Sequence, residues 1–266
     1  MPTDDLGAPV TPAPGAVRLV SLVPSLSELL AQWGLGDQVV GVTDWCVAPP
    51  DAFTHAVRVR GTKNPDVARI VALAPTLVVA NEEENRELDV RRLREAGVAV
   101  HVTRVRTVAE AADSIERLAR ALGVTAAADV TVDRLRAVAS SRSAPGDGVL
   151  TLCPIWRDPW MVVGHDTFSG DLLRLAGLRL WPHDPQGRYP EVELAAARAA
   201  GVELVLLPDE PYPFGEADRA VFADWPATVR LTDGAALTWW GSRSLAAHHD
   251  LSAVAAVVRE ERGRRG

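Results

Sequence analysis

Tryptophans are the residues of this sequence best suited to binding a ligand. The chain has eight of them, against two tyrosines and four phenylalanines. An indole in a loop is stable when it packs on its own domain or stacks on a flat ligand. Packing is the commoner outcome for any single residue. For a group of five loop tryptophans we predict that at least two stack on a planar ligand. The five lie in segments predicted as loops at strand ends: Trp45, Trp156, Trp160, Trp239 and Trp240.

Polar residues with hydrogen-bonding or charged groups follow the same predicted strands. Asn81 and Asn85 flank three glutamates, and their amides are suited to bonding the amides of a ligand. Acidic residues at a helix start also stabilise that helix by about 0.3–1 kcal/mol each, which accounts for two of the three glutamates. Glu82 and the single lysine, Lys63, remain candidates for ligand contact. Together with the Asp209–Glu210 pair, these acids disfavour a strongly anionic ligand.

Metal binding and catalysis have little support in the sequence. The six histidines show no HxH or HExxH spacing, and no GxSxG, Walker A or GxGxxG motif occurs. His165 and Cys46 are the candidates for a single axial ligand to a bound cobalt or haem iron, whereas Cys153 is predicted to be a small core residue. We therefore expect no metal site built from protein side chains, no built-in cofactor and no enzymatic activity.

Composition and charge exclude several classes of protein. With 28 basic and 35 acidic side chains, the net charge is −7, so the basic footprint of a nucleic-acid-binding protein is absent. No apolar run is long enough to span a membrane. Residues 1–16 are rich in proline and carry Asp4 and Asp5, which predicts a disordered leader rather than a secretory signal. These features predict a cytoplasmic protein, with a periplasmic or cell-surface location as the alternative if translation starts further upstream.

Strand and helix signals alternate along most of the chain. This βα alternation predicts an α/β protein with parallel sheets. Thr107-Val-Ala-Glu110 and Ser25-Leu-Ser-Glu28 both read as capping boxes that begin helices. The predicted organisation is a leader (1–16), an N-terminal lobe (17–123), a linker helix (124–145) and a C-terminal lobe (146–266).

A weak internal repeat relates the two predicted lobes. In each copy, a helix beginning at a proline (Pro65 or Pro190) precedes an apolar strand and then an acidic loop, 81–85 or 209–214. In open α/β sheets, ligands bind beyond the carboxyl ends of the strands. The two loops are therefore expected to face one cleft.

The chain also resembles a known family from about Arg18 to its end, most strongly before Val102. Arg18-Leu-Val-Ser-Leu-Val-Pro-Ser-Leu-Ser-Glu28, Val39-Val-Gly-Val-Thr-Asp-Trp45, Gly61-Thr-Lys-Asn-Pro-Asp66 and Arg69-Ile-Val-Ala-Leu-Ala-Pro75 are similar to the cobalamin and iron-siderophore class of ABC-importer substrate-binding proteins, the helical backbone metal receptor or TroA-like group. The resemblance implies two Rossmann-like lobes bridged by one rigid helix, with a ligand held between them. It also implies a metal chelate as ligand, either a corrinoid such as cobalamin or a haem- or siderophore-like molecule.

The resemblance and the strand-end argument together give a predicted ligand site. Its members are aromatic side chains with a few polar groups, the usual composition of a small-molecule pocket. They are Trp45, Lys63, Asn81, Glu82, Asn85, Trp156, Trp160, Tyr212, Phe214, Trp239 and Trp240.

One departure from the family bears on partners. Members that dock a permease generally carry one exposed glutamate on each lobe, and the matching positions here are Ala68 and Ala195. The first hypothesis is therefore a cytoplasmic protein that binds a metal chelate without docking a permease. The alternatives are an exported substrate-binding protein of an ABC importer, and an enzyme acting on a metal chelate.

Overall fold

The chain folds into two compact units. The computed structural model describes residues 2–12, 14–141, 148–183 and 187–265. Unit 1 comprises Met1–Arg104 and Ala112–Asp133, and unit 2 comprises Val105–Ala111 and Arg134–Gly266. Residues 142–147, which include the end of the predicted linker, lie outside the described residues.

Unit 1 is built on a parallel five-stranded sheet. The strand order is β3-β2-β1-β4-β5, so β5 is an edge strand. Short apolar runs form these strands, and β1, β4 and β5 are buried along their full length. The strands are β1 (Leu19–Ser21), β2 (Val39–Val42), β3 (Val57–Arg58), β4 (Leu77–Asn81) and β5 (Val100–Thr103).

Helices follow most of the strands of unit 1, as expected for βα alternation. Asp66 caps α2 by accepting a hydrogen bond from Arg69 N at 3.1 Å. The helices that begin in this part of the chain are α1 (Pro24–Gln32), α2 (Val67–Ala72), α3 (Glu87–Glu95), α4 (Val108–Leu122) and α5 (Thr125–Ala139).

Unit 2 carries a parallel four-stranded sheet of order β11-β10-β6-β9 and a two-stranded antiparallel hairpin, β7-β8. The strands are β6 (Val149–Leu152), β7 (Pro154–Trp156), β8 (Met161–Val162), β9 (Leu178–Leu180), β10 (Leu204–Pro208) and β11 (Thr228–Thr232). The helices are α6 (Phe168–Leu175), α7 (Leu194–Ala199), α8 (Gly234–Thr238) and α9 (Ser242–Arg265). The predicted α/β class with parallel sheets is confirmed.

The boundary between the units differs from the predicted lobe boundary near residue 123. Val105–Ala111, which includes the first turn of α4, belongs to unit 2. Two contacts explain this: Val108 N donates to Asp171 Oδ2 at 2.9 Å, and Arg106 pairs with Asp166 at 3.1 Å. Both α4 and α5 therefore contain residues of both units.

The segment predicted as a disordered leader is ordered over Pro2–Val10, and we call this segment the strap. Asp4 accepts an ion-pair hydrogen bond from Arg94 at 2.7 Å, and Asp5 accepts one from Arg117, also at 2.7 Å. Val10 is buried. The prolines and the two aspartates predict disorder, but the two carboxylates pair with arginines far along the chain, and these ion pairs order the strap on unit 1.

His101 lies in β5 close to the two strap carboxylates. Neither ring nitrogen has a hydrogen-bond partner within the described part of the chain, and the residue is fully buried. Burial lowers the pKa of His101 below its ordinary value of 6.5, and Arg117 and Arg94 add to that effect, while Asp5 and Asp4 oppose it. The folded protein therefore holds this imidazole neutral.

A neutral buried histidine makes stability dependent on pH. Below about pH 6.5 the unfolded chain takes up a proton at His101 that the folded chain does not, so stability is complete above that pH and falls as the pH decreases. The loss amounts to at most about 1.4 kcal/mol per pH unit. Urea unfolding at neutral and mildly acidic pH should show a smaller pH dependence for His101→Leu than for the parent. Replacing the exposed His55 with leucine should leave the parent's dependence unchanged.

Candidate ligand-binding site

The carboxyl ends of the unit 1 strands gather the predicted polar residues of that unit. Because β1, β2, β3 and β4 are parallel, the loops that follow them leave the same edge of the sheet. Asn85 Nδ2 donates to Thr62 O at 2.9 Å, and Lys63 Nζ donates to Glu83 O. The loop after β4 is thereby joined to the loop after β3.

The tryptophan after β2 is held out into solvent by a braced loop. Arg58 Nη1 donates to Thr43 O at 3.0 Å and to Cys46 O at 3.1 Å, which fixes the loop on both sides of Trp45. Trp45 itself is 66% exposed. A Cβ placed on Gly61 would lie 3.6 Å from Trp45 Nε1, so the indole lies beside the loop that carries Lys63. This exposed indole on a rigid loop is suited to stacking on a flat ligand.

Asn81 and Asn85 organise the loop after β4. Asn85 Oδ1 accepts from Asn81 N at 2.9 Å, and Asn81 Oδ1 accepts from Glu83 N, also at 2.9 Å. Both residues are buried, and both side-chain amides also donate within unit 1. The structure therefore gives them a positioning role. Their direct contact with a ligand stays a prediction.

The charged groups of this loop differ in their surroundings. Glu82 is exposed, and its contact with a ligand stays a prediction. Desolvation raises the pKa of Glu84 although part of the residue reaches solvent, and the positive charge of Lys63 opposes the shift. Lys63 is thus an exposed cation beside a row of acids rather than an isolated positive charge.

Unit 2 gathers aromatic rings from two loops into one cluster. Trp156 meets Tyr212 edge to face at 5.7 Å, and Tyr212 lies 4.5 Å from Phe214. Trp160 stacks on Phe214 at 5.9 Å with an interplanar angle of 7°. The hairpin β7-β8 follows β6 and the 209–214 loop follows β10, so neighbouring parallel strands bring these rings together. The sequence predicted these four aromatics as site residues.

The Arg157–Asp218 ion pair, which the sequence analysis did not predict, holds the Arg157 side chain against Trp160. Arg157 lies 5.6 Å from the centroid of the Trp160 ring and pairs with Asp218 at 2.7 Å. Asp218 also accepts from Gly215 N at 2.9 Å. Phe214 and Arg157 therefore both contact the Trp160 ring. Trp156 is 45% exposed, so it is the indole of this cluster that remains accessible to a ligand.

The remaining two predicted tryptophans follow α8. Trp240 is 6% exposed. Trp239 is half-buried, with Arg243 at 5.1 Å from its ring centroid. Trp240 therefore has almost no exposed surface to offer a ligand, and its contact with a ligand stays a prediction.

Asp209 and Glu210 connect the 209–214 loop to α8. Asp209 Oδ1 accepts from Gly234 N at 2.7 Å, and Glu210 Oε1 accepts from Thr238 Oγ1 at 3.2 Å. A Cβ on Gly234 would lie 2.7 Å from Glu210 N, so only glycine allows this approach. Burial raises the pKa of Glu210, so this carboxyl group takes up a proton more readily than a free glutamate does.

Neither candidate for an axial metal ligand is well placed within its unit. Cys46 is fully buried, its Sγ lies 3.0 Å from Thr43 Oγ1, and burial raises the pKa of its thiol. His165 is exposed, with Nε2 3.2 Å from Pro182 O. Burial raises the pKa of Cys153 to about 12, as expected for a core thiol. The described residues contain no group of three or more histidines, cysteines or acids arranged to hold a metal ion.

Comparison with known proteins decides the family. A family model described as "Periplasmic binding protein" matches residues 19–207, well over half of the chain. This chain belongs to that family. The resemblance to ABC-importer substrate-binding proteins is thereby confirmed, and the match runs through both units.

Curated relatives align with a smaller part of the chain. The Vitamin B12-binding protein of Vibrio cholerae is 32% identical over 103 residues, which is 39% of this chain and 37% of the relative. The uncharacterized ABC transporter substrate-binding lipoprotein YvrC of Bacillus subtilis is 34% identical over 122 residues, 45% of this chain and 38% of the relative. The aligned segments thus cover well under two thirds of either relative.

Solved structures share the fold over nearly the whole chain. The periplasmic vitamin B12 binding protein BtuF of Vibrio cholerae superposes with a TM-score of 0.78 at 22% identity, covering 91% of this chain and 97% of that one. The periplasmic heme-binding protein RhuT from Roseiflexus sp. RS-1 gives 0.79 at 22% identity, covering 92% and 100%. At this identity the likeness establishes the fold. Within the described residues, no helix has the length and apolar character needed to cross a membrane.

Proposed function

We propose that this protein is the substrate-binding component of an ABC importer and that it binds a planar metal chelate. The observation that carries the proposal is the presence of an exposed indole at the carboxyl ends of the strands in each unit, Trp45 in unit 1 and Trp156 in unit 2. Large flat ligands are bound chiefly by such aromatic faces. Relatives that are named for vitamin B12 or heme binding support the same ligand class.

Within that class, the charges favour a corrinoid over haem. Cobalamin has a periphery of neutral amides, whereas haem carries two carboxylates. The loops concerned present Glu82, Asp209 and Glu210, and on the unit 1 side the cation Lys63 is bound to Glu83 O. Bringing haem carboxylates toward such acids is unfavourable, while amides can bond to them. Cobalamin is therefore the proposed ligand, bound without a cofactor and without chemical change.

We also propose that the protein works outside the cytoplasmic membrane. The cytoplasmic location expected from the leader has no support among the relatives, which include a lipoprotein and periplasmic binding proteins. The alternative hypothesis, an exported substrate-binding protein, agrees better with the names of these relatives. The strap, which suggested a cytoplasmic leader, folds as part of unit 1.

Docking to a permease is the step on which this chain departs from its family's pattern. Ala68 and Ala195 are exposed in the first turns of α2 and α7. Asp66, a possible substitute for the missing glutamate, caps α2 and lies 3.8 Å from Arg60. Glu193 precedes α7 and is exposed. We propose that docking occurs but is weak on the unit 1 side.

Restoring the acids should strengthen docking. The Ala68→Glu/Ala195→Glu variant is expected to stimulate the ATPase of a reconstituted cobalamin importer at lower concentration than the parent, because each carboxylate can form charge-assisted hydrogen bonds to arginine. The matched control is Ala126→Glu/Ala246→Glu, which adds the same charge at exposed alanines of α5 and α9. Equal stimulation by all three proteins would show that these positions take no part in docking.

A further inference from the structure

The strap runs along the outward edge of the unit 1 sheet. Strand β5 ends the strand order, and its inner edge pairs with β4. On that inner edge, Val78 N donates to Ala99 O at 2.9 Å and Glu82 N to Thr103 O at 2.9 Å. In a parallel ladder, alternate residues point to opposite edges. The backbone groups of Val100, Val102 and Arg104 therefore point outward.

Polar groups of the strap form hydrogen bonds with the outward-pointing backbone groups of β5. Asp5 N donates to Val102 O at 3.1 Å, and Val102 N donates to Asp4 Oδ2 at 3.3 Å. Arg104 N donates to Asp5 Oδ2 at 2.9 Å. The Asp4 partner Arg94 also donates to Val100 O, at 3.2 Å. The two carboxylates thus stand where the carbonyl oxygens of a sixth strand would lie.

The strap is itself a folded element. Thr3 and Pro9 form an antiparallel bridge, and Val10 N donates to Pro2 O at 2.9 Å. Asp4 Oδ1 accepts from Leu6 N at 3.0 Å and from Ala8 N at 2.8 Å, which closes the turn. A folded strap covers the edge at a lower entropic cost than a flexible segment would.

Both strap carboxylates are withdrawn from water. The Asp4 and Asp5 side chains are 0% and 2% exposed. Buried carboxylates are strongly unfavourable unless they are paired and hydrogen-bonded. These two have arginine partners and backbone donors, so the contact is specific to this register of strap and strand.

We propose that the strap covers the outward edge of β5 and thereby prevents β5 of one molecule from pairing with β5 of a second copy of this chain. An open edge strand is a template for pairing with another chain. Val100–Thr103 favours such pairing because it is rich in β-branched residues and contains no proline. Two identical edges related by a twofold axis are complementary to each other.

The test uses the full chain with Asp4→Asn/Asp5→Asn, which removes both charges with little change in shape. The amides of Val102 and Arg104 should exchange with solvent about tenfold faster or more, as expected when hydrogen bonds to a charged acceptor are lost. Light scattering across a dilution series should show a monomer for the parent and a concentration-dependent dimer or larger assembly for the variant. Asp37→Asn/Asp129→Asn, at exposed positions, should behave as the parent.

A peptide rescue separates edge exposure from a general loss of fold. Adding a synthetic peptide of residues 2–12 should return the variant to monomer and slow exchange at Val102 and Arg104. Unchanged exchange in the variant would show that the carboxylates do not hold the strap. A variant that stays monomeric despite faster exchange, or one that associates and is not rescued by the peptide, would overturn the proposal.

Discussion

Replacing Trp240 with alanine is expected to lower the free energy of unfolding by about 3–5 kcal/mol, the cost of deleting a large buried aromatic side chain. The indole is only 6% exposed, so its removal leaves a cavity rather than an open surface. Urea unfolding followed by circular dichroism measures the loss. The sequence placed this residue with the ligand-contacting tryptophans, and the structure places it with the core.

Trp156→Ala is the matched control, because it deletes the same side chain from a half-exposed position. The indole pairs edge to face with Tyr212, and such aromatic pairs contribute about 0.5–1.5 kcal/mol beyond their buried area. Trp156→Ala should therefore destabilise the protein clearly less than Trp240→Ala. Equal losses for the two variants would contradict the division into core and open tryptophans.

Trp45→Ala has the largest expected effect on ligand binding. An exposed indole that becomes buried against a flat ligand acts as an anchor, and its truncation costs about 1–3 kcal/mol. The dissociation constant for cobalamin should rise by about 5- to 150-fold. Isothermal titration calorimetry measures the change, and the stability of the free protein should stay within about 0.5 kcal/mol of the parent.

Val47→Ala serves as the control for Trp45→Ala. Val47 lies in the same loop and is 65% exposed, nearly the same fraction as Trp45, but it has no aromatic face. Its replacement should leave the dissociation constant unchanged. A Trp45→Ala protein that binds cobalamin as tightly as the parent would exclude Trp45 as a stacking platform.

Local sequence signals predicted the secondary structure well where the residues that fix it are near neighbours. In the Thr107–Glu110 box, Thr107 Oγ1 accepts a hydrogen bond from Glu110 N at 3.1 Å, as predicted. The Glu110 carboxylate accepts from Arg106 N. The capping box predicted at Ser25–Glu28 is wrong, because α1 begins at Pro24, with Val23 at the N-cap and Ser25 inside the helix. There the fixed φ of proline at the first helical position begins the helix two residues earlier than the predicted N-cap at Ser25 implies.

Features that depend on distant partners could not be predicted in this way. The prolines and aspartates of the strap predict disorder, whereas the structure pairs the aspartates with arginines 90 and 112 residues away. Arg157 was missed for the same reason, since its partner Asp218 is 61 residues distant. The sequence predicts the aromatic loops as a group of candidate ligand contacts, but the exposure of each ring depends on packing that the sequence does not show.

Titration of the purified protein with cobalamin, followed by tryptophan fluorescence and visible absorbance, tests the central claim most directly. Stacking of cobalamin on the exposed indoles predicts saturable quenching at micromolar concentration and a shifted cobalamin spectrum. Quenching should be weaker in Trp45→Ala and in Trp156→Ala than in Val47→Ala. Haemin is expected to bind more weakly because its carboxylates meet the acidic loops. Absence of saturable quenching by either chelate would contradict the account.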